Sequence, residues 1–407
     1  MDIFQKCFKY TEVEEIMAKG LYPYFHALES KQDTEVIMEG KRRIMIGSNN
    51  YLGLTGDERV IQAGLDAMKE YGSGVSGSRF LNGTLRVHVE LEDELAKFLH
   101  KEASLIFSTG FQTNLGIISA IATRDDIIFS DRENHASIYD GIKLSYASFV
   151  RYKHNNMEDL EKKLKNADPK KGKLIITDGV FSMSGDIANL PGIIKLAKKY
   201  NARIMVDDAH SLGVLGEHGR GTAEYFHCED DIDIIMGTFS KSLASLGGYV
   251  TSTKKVINYI KHKSRPFIFS ASIPPANAAT ALKALRILQE EPNRPKKLKE
   301  ITNYMRKVLM EKGIELEGNN VSPIIAFKTY SVVRTLVICK MLYNRGVYVN
   351  TVLPPASPEG ECMIRTSYTA THTKEQMDEA ADIILEVLYK VPSKDEEILA
   401  LWEKENE

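Results

Sequence analysis

Ala202-Arg-Ile-Met-Val-Asp-Asp-Ala-His210 begins as a buried strand and ends on charge. Ala202 to Val206 is a short apolar run of the kind that forms a fully covered strand of a parallel sheet. Asp207 and Asp208 follow at once, and a carboxylate delivered to such a place is costly unless it is paired. Further on, Asp233-Ile-Ile-Met-Gly-Thr238 runs into Phe239-Ser-Lys241 in the same way. An amine held that close to a core shifts its pKa down or bonds covalently. Taken alone, either residue is equally well read as half of a salt bridge. Together they place an acid and an amine at strand ends of one sheet, where open α/β folds bind ligands.

Five more apolar runs flank these two: Ser104–Ser108, Ile127–Ser130, Ser148–Tyr152, Lys173–Thr177 and Gly248–Thr251. Helical patterns such as Met157–Asn166 and Pro191–Tyr200 lie between them. The alternation predicts an α/β fold built on a mostly parallel seven-stranded sheet with helices on both faces. Residues 1 to about 45 read as a helical arm and a short hairpin. Helices are expected over 57–71 and about 88–100, with a Gly/Ser-rich loop, Gly72–Gly83, between them. The stretch from about 280 to 310 is helical, interrupted near Pro292 and Pro295. A smaller C-terminal α/β unit follows, with strands near Ile324–Lys328, Val347–Asn350 and Cys362–Ser367. From Lys374 the tail is an amphipathic helix and then acidic residues. The expected organisation is an N-terminal arm over 1–55, a large domain over 56–285 and a small domain over 286–407.

The chain has 407 residues, with 53 Lys and Arg against 55 Asp and Glu, a formal net charge of −2. That balance offers no field for a polyanion, so nucleic-acid binding is not expected. Cys7, Cys228, Cys339 and Cys362 lie far apart, without a CxxC pair, which suggests reduced thiols rather than zinc or disulfides. The N-terminus lacks the long apolar run of a secretory signal. The longest charge-free stretch, Ala103 to Thr123, contains Gly110, Gln112, Asn114 and Gly116 and reads as core, not as a membrane span. A cytoplasmic protein with at most peripheral membrane contact is expected.

Gly72-Ser-Gly74-Val-Ser-Gly77 matches GxGxxG, but a dinucleotide site needs a strand before it, and here a helix precedes. An oxidoreductase built on a nicotinamide cofactor is the alternative from a different class, and the missing strand speaks against it. Neither GxSxG nor GxxxxGK[ST] occurs. Ser108-Thr109-Gly110-Phe111 ends a strand and opens a helix, where free N–H groups suit a phosphate. Many such turns bind nothing. Asn134-His135-Ala136-Ser137 follows another strand; a lone His there is more often structural than a ligand. Taken together, the parts point to pyridoxal phosphate. That cofactor needs a lysine for its aldehyde, an aspartate for its ring nitrogen, and hydroxyl and backbone donors for its phosphate. A histidine stacked on the ring face completes the set.

These residues resemble the α-oxoamine synthases, fold-type-I pyridoxal phosphate-dependent transferases that condense an amino acid with an acyl-CoA and release CO2. The resemblance spans nearly the whole chain. It rests on Ser48-Asn-Asn-Tyr-Leu-Gly-Leu54, Gly77-Ser-Arg-Phe-Leu-Asn-Gly-Thr84, Asn134-His-Ala-Ser-Ile138, Val206-Asp-Asp-Ala-His210 and Gly237-Thr-Phe-Ser-Lys241. The resemblance implies Lys241 as the cofactor-binding lysine and Asp207 as partner of the ring nitrogen. It implies His210 on the phenolic oxygen and His135 stacked on the ring. Gly110, Phe111, Thr238 and Ser240 would hold the phosphate. Ser270 would reach the phosphate of a neighbouring subunit in a homodimer. Asn50 and Asn49 would lie near the amino acid, and Arg365 would bind its carboxylate.

Leu21-Tyr-Pro-Tyr-Phe25, Gly83-Thr-Leu-Arg-Val-His-Val-Glu-Leu-Glu92, Thr238-Phe-Ser-Lys-Ser-Leu-Ala-Ser-Leu-Gly-Gly248 and Pro354-Pro-Ala-Ser-Pro358 are similar to one branch of the family. That branch joins L-serine to a long-chain acyl-CoA such as palmitoyl-CoA, giving 3-ketodihydrosphingosine, the first step of sphingolipid synthesis. Some of its members carry Arg just before the Pro-Pro pair; this chain has Leu353. The alternatives are sister enzymes that use cysteate, alanine or glycine, and a non-catalytic partner subunit.

Overall fold

The computed structural model describes residues 2–318 and 321–406. Two short helices, Gln5–Phe8 and Glu12–Ala18, precede a hairpin of β1 (Glu35–Met38) and β2 (Lys41–Met45). Helices Glu58–Tyr71 and Arg86–Phe98 then lead into the main sheet. Its strands are β3 (Ala103–Phe107), β4 (Asp126–Asp131), β5 (Ser148–Tyr152), β6 (Gly172–Asp178), β7 (Arg203–Asp207), β8 (Ile234–Thr238) and β9 (Gly248–Ser252). Their order across the sheet is β3-β9-β8-β7-β6-β4-β5. β9 runs antiparallel to both its neighbours, and every other adjacent pair is parallel. The mostly parallel seven-stranded sheet read from the sequence is present.

Successive strand residues point to opposite faces, and both faces are covered. In β7, Ile204 and Val206 pack with Ile193 and Leu196 of the helix Leu190–Tyr200. Met205, between them, packs on the other face with Ile117 and Ile138, from helices Gly110–Ile121 and Ala136–Ser145. Covering both faces is what lets these strands be apolar throughout. It also leaves only their ends for chemistry. The parallel strands β4, β6, β7 and β8 finish at Asp131, Asp178, Asp207 and Thr238, along one edge.

The C-terminal unit holds β10 (Ile324–Tyr330), β11 (Val347–Tyr348), β12 (Asn350–Val352) and β13 (Cys362–Ser367). β10, β13 and β12 form an antiparallel sheet in that order. β11 instead pairs in parallel with β2, so the N-terminal hairpin is built into this end of the molecule. Ile44, Ile46 and Tyr51 share one apolar core with Leu298, Val337, Ile364 and Trp402.

Three details differ from the sequence reading. The long helix breaks once, at Glu291 and Pro292, into Pro275–Glu290 and Asn293–Glu311. Pro295 stays inside the first turn of the second piece, where a missing N–H costs nothing. The strand expected over Val347–Asn350 is two short strands that belong to different sheets. The acidic tail is itself a helix, Asp395–Asn406, because Ile398 and Trp402, four residues apart, are both buried. Among the described residues no helix is long and apolar enough to cross a membrane.

Gly72-Ser-Gly74-Val-Ser-Gly77 emerges from the helix Glu58–Tyr71 and not from a strand. The nicotinamide alternative thus lacks the βα turn that it requires.

Candidate active site

A cavity of about 300 Å³ opens at the ends of β6, β7 and β8. It gathers Gly110, Phe111, His135, Asp207, His210, Thr238, Ser240 and Lys241, all named from the sequence. Asp207 closes β7 and turns into the cavity. Its Oδ1 accepts the Ala209 N–H (3.0 Å) and its Oδ2 accepts Asn114 Nδ2 (2.8 Å). Asn114 sits on the helix Gly110–Ile121 and also donates to Ser137 Oγ at 2.8 Å, so two elements fix the acid's direction. Asp208 turns the other way, to the Thr222 hydroxyl (2.6 Å) and N–H (3.1 Å).

Lys241 follows β8 by three residues and shares the cavity with two carboxylates, Asp207 and Asp178. Withdrawal from water pushes its amine down to about 8, while the two acids pull it back up. The His135 ring is held by Ser137 Oγ, 2.7 Å from Nδ1, and meets Phe111 edge-on at 6.3 Å. His210 Nδ1 lies 2.7 Å from the Tyr51 hydroxyl. Burial lowers the pKa of both imidazoles, so both are neutral at pH 7.

The mouth of the helix Gly110–Ile121 forms one wall. Thr109 caps it, accepting the Gln112 N–H at 3.1 Å. The next free N–H groups and the helix dipole favour an anion. Thr238 and Ser240 set their hydroxyls 2.9 Å apart beside it. A Cβ on Gly110 would lie 2.8 Å from Thr238 Cβ, so only glycine leaves this cradle open. An amine, a fixed carboxylate, neutral rings and an anion cradle in one cavity fit pyridoxal phosphate group for group.

The other expected residues lie outside the cavity lining. Arg365, on β13, sits behind the wall. Its Nε donates to the Ser182 carbonyl (2.6 Å) and its Nη2 to Asn49 Oδ1 (3.0 Å). Asn50 is spent on its own turn: Oδ1 accepts the Leu54 N–H (3.1 Å) and Nδ2 donates to Thr55 Oγ1 (2.6 Å). Ser270 lies beside Phe269, which is 74% exposed, on the segment between helices Arg265–Ile268 and Pro275–Glu290.

Sequence reasoning missed Asn114, Tyr51 and Asp178. Asp178 ends an apolar strand just as Asp207 does, so the same signal was there to find it. Asn114 and Tyr51 carried no local signal, because their partners come from distant segments.

The chain matches the aminotransferase class I and II family over residues 41–384. It is 52% identical to the serine palmitoyltransferase of Sphingobacterium spiritivorum over 375 residues, 92% of this chain and 94% of that one. It is 43% identical to the 8-amino-7-oxononanoate synthase of Thermosipho melanesiensis over 371 residues, 91% of this chain and 95% of that one. Among solved structures, a serine palmitoyltransferase with a PLP internal aldimine superposes with TM-score 0.93 at 36% identity, covering 97% of this chain and 100% of that one. Sphingomonas wittichii serine palmitoyltransferase does so with TM-score 0.92 at 38% identity, covering 95% and 98%. The protein belongs to the aminotransferase class I and II family and, within it, to the α-oxoamine synthases that its sequence resembles. It is a pyridoxal phosphate-dependent enzyme with the type I fold.

Proposed function

We propose that the protein joins L-serine to a long-chain acyl-CoA, with palmitoyl-CoA as the type substrate. CoA and CO2 leave, and 3-ketodihydrosphingosine is the product. The observation that carries this reading is the meeting of Lys241, Asp207 and His135 in one cavity at the strand ends. The choice of serine is supported by the relatives: 52% identity to a serine palmitoyltransferase against 43% to an 8-amino-7-oxononanoate synthase.

Bound in this cavity, pyridoxal phosphate supplies an aldehyde that holds the amino acid's nitrogen and a ring that draws electrons from its α-carbon. Lys241, whose amine discharges near pH 8, takes the α-proton and later returns one. Asp207, held by Asn114 and the Ala209 N–H, presents its carboxylate to the ring nitrogen. His135 would lie along the ring and His210 would meet its phenolic oxygen. Gly110, Phe111, Thr238 and Ser240 would hold the phosphate. Arg365 would be the cation for the substrate carboxylate, with Asn49 bonded to it and Asn50 in the adjoining turn. Ser270 stands outside the cavity of its own chain, which fits service to a second copy in a homodimer.

Leu353 is partly buried against the core of the C-terminal unit, and its carbonyl accepts the Ala356 N–H at 2.8 Å. An apolar residue packed this way gives no help with a carboxylate, so that task falls to Arg365. The rival substrates are cysteate, alanine and glycine.

The test is a visible spectrum of the holoenzyme titrated with each of the four amino acids, followed by product analysis with palmitoyl-CoA. A saturable change with serine, and a product of the expected mass, supports the reading. Preference for another amino acid moves the protein to a sister activity. Absence of any lysine–cofactor absorption overturns the mechanism.

A further inference from the structure

Asp178 and Asp207 end adjacent strands and are paired in register across β6 and β7. Both line the cavity, with Lys241 as its one amine and two imidazoles that burial keeps neutral. The two acids are supported unequally. Asp207 receives a hydrogen bond on each oxygen. Asp178 receives only the His135 N–H, on Oδ2 at 3.1 Å. Its Oδ1 is buried and has no hydrogen-bond partner. An ionised carboxylate would leave that oxygen both charged and unsatisfied, beside a second acid.

We infer that Asp178 is the proton-bearing acid of the pair at neutral pH and stands in the lining of the catalytic cavity as a neutral hydrogen-bonding group. Burial first, and then Asp207, push its carboxyl well above the usual carboxylate range, in the same direction. Lys241 and the His135 N–H act the other way. Held neutral, Asp178 adds no charge that would repel a cofactor or substrate oxygen that gathers negative charge. Its backbone N–H donates to Asn134 Oδ1 at 2.8 Å, which anchors the residue against the Asn134–His135 turn. This deepens the proposed reaction and rests on the cofactor site described above.

The experiment compares wild type, Asp178→Asn and Asp178→Ala by infrared difference spectroscopy at neutral pH, with aspartate carrying a carbon-13 label. Wild type should show the carbonyl stretch of one protonated aspartate, and both variants should lack it. Pyridoxal phosphate affinity and turnover form the second readout. Asparagine keeps a neutral hydrogen-bonding group at this position, so Asp178→Asn should lose at least about tenfold less than Asp178→Ala, whose own loss should be about 100-fold. A wild-type spectrum without the band overturns the inference, whether or not the variants fold. So does an Asn variant as damaged as the Ala variant. The band and the cofactor affinity need neither serine nor acyl-CoA, so they are judged separately from the proposed substrates.

Discussion

The Tyr51 hydroxyl lies 2.7 Å from His210 Nδ1, and both rings are buried. Burial pushes the phenol up to about 12, so it keeps its proton at any working pH. The same hydroxyl donates to Asn49 Oδ1 at 3.2 Å, and Asn49 Oδ1 also takes the Arg365 N–H. The arginine assigned to the substrate carboxylate is thus tied, through two side chains, to a ring that faces the cavity. Tyr51→Phe keeps the packing and removes the link. It should lower kcat/KM about tenfold and stability by about 1–2 kcal/mol. Asn49→Leu cuts the other half and should raise KM for the amino acid more than it lowers kcat. Steady-state kinetics and thermal unfolding check both; unchanged kinetics in both variants would remove Tyr51 from the site.

Lys241 sets a pH profile. Only the neutral amine reacts with the cofactor's aldehyde, and burial brings its pKa down to about 8. Uptake of pyridoxal phosphate by cofactor-free protein should speed up about tenfold per pH unit below pH 8 and level off above it. Stability follows with a defined sign. The folded pKa lies below the ordinary 10.5, so between these values the unfolded chain binds the extra proton. Stability contributed by this residue therefore rises with pH across that window. Lys241→Met should stabilise the cofactor-free protein by about 3 kcal/mol below pH 8, with the gain fading towards pH 10.5.

Gly110→Ala tests the anion cradle. The added methyl would meet Thr238 Cβ and Oγ1 at 2.8 Å, at the first turn of the helix that faces the cavity. Overpacking of this kind costs about 1–3 kcal/mol. The larger effect should be on pyridoxal phosphate, whose dissociation constant should rise at least about tenfold. Equilibrium titration followed by absorbance measures it.

His154 braces the site from behind. Its Nδ1 lies 3.0 Å from Asp131 Oδ1 and its Nε2 3.3 Å from Asp186 Oδ2. Asp131 ends β4; Asp186 belongs to the loop that also carries Ser182, the acceptor of Arg365. Burial opposes a charge on this ring, but the bonds to Asp131 and Asp186 outweigh it and raise its pKa to about 10. The folded state therefore binds the proton more tightly than the unfolded chain. The stabilisation is complete below the ordinary value of 6.5 and is lost as pH rises through 10. His154→Gln should cost about 3 kcal/mol near pH 6, and the difference from wild type should shrink steadily towards pH 10. Urea unfolding across that range checks it.

The main sheet was legible because each strand is apolar throughout, a pattern that survives without any knowledge of partners. All seven lie within two residues of their expected ends. Lys241 and Asp207 were legible for the same reason, as charges that break an apolar run. What could not be read was anything fixed by a distant partner. Asn50 and Asn49 are neighbours of the same type, yet one closes a local turn and the other holds Arg365, more than 300 positions away. Ile398 and Trp402 looked like part of an acidic tail until the core that receives them was in view. Asp178 showed the right local signal, but its importance depends on an unpartnered oxygen, which only the packed structure displays.

The pairing of β2 with β11 also constrains how the chain comes into being. Ile44 meets Val347, so roughly 300 residues separate the two halves of that small sheet. A ribosome adding about 5–20 residues per second would need on the order of 15–60 s to deliver the second half. Through that interval the Lys41–Met45 edge has no strand to receive it, and the core around Ile44 and Ile46 lacks most of its members. The large sheet, whose strands end at Ser252, is complete well before then. Birth order therefore favours a molecule in which Lys241 is in place early, and in which the first fifty residues and the last third of the chain close together at the end.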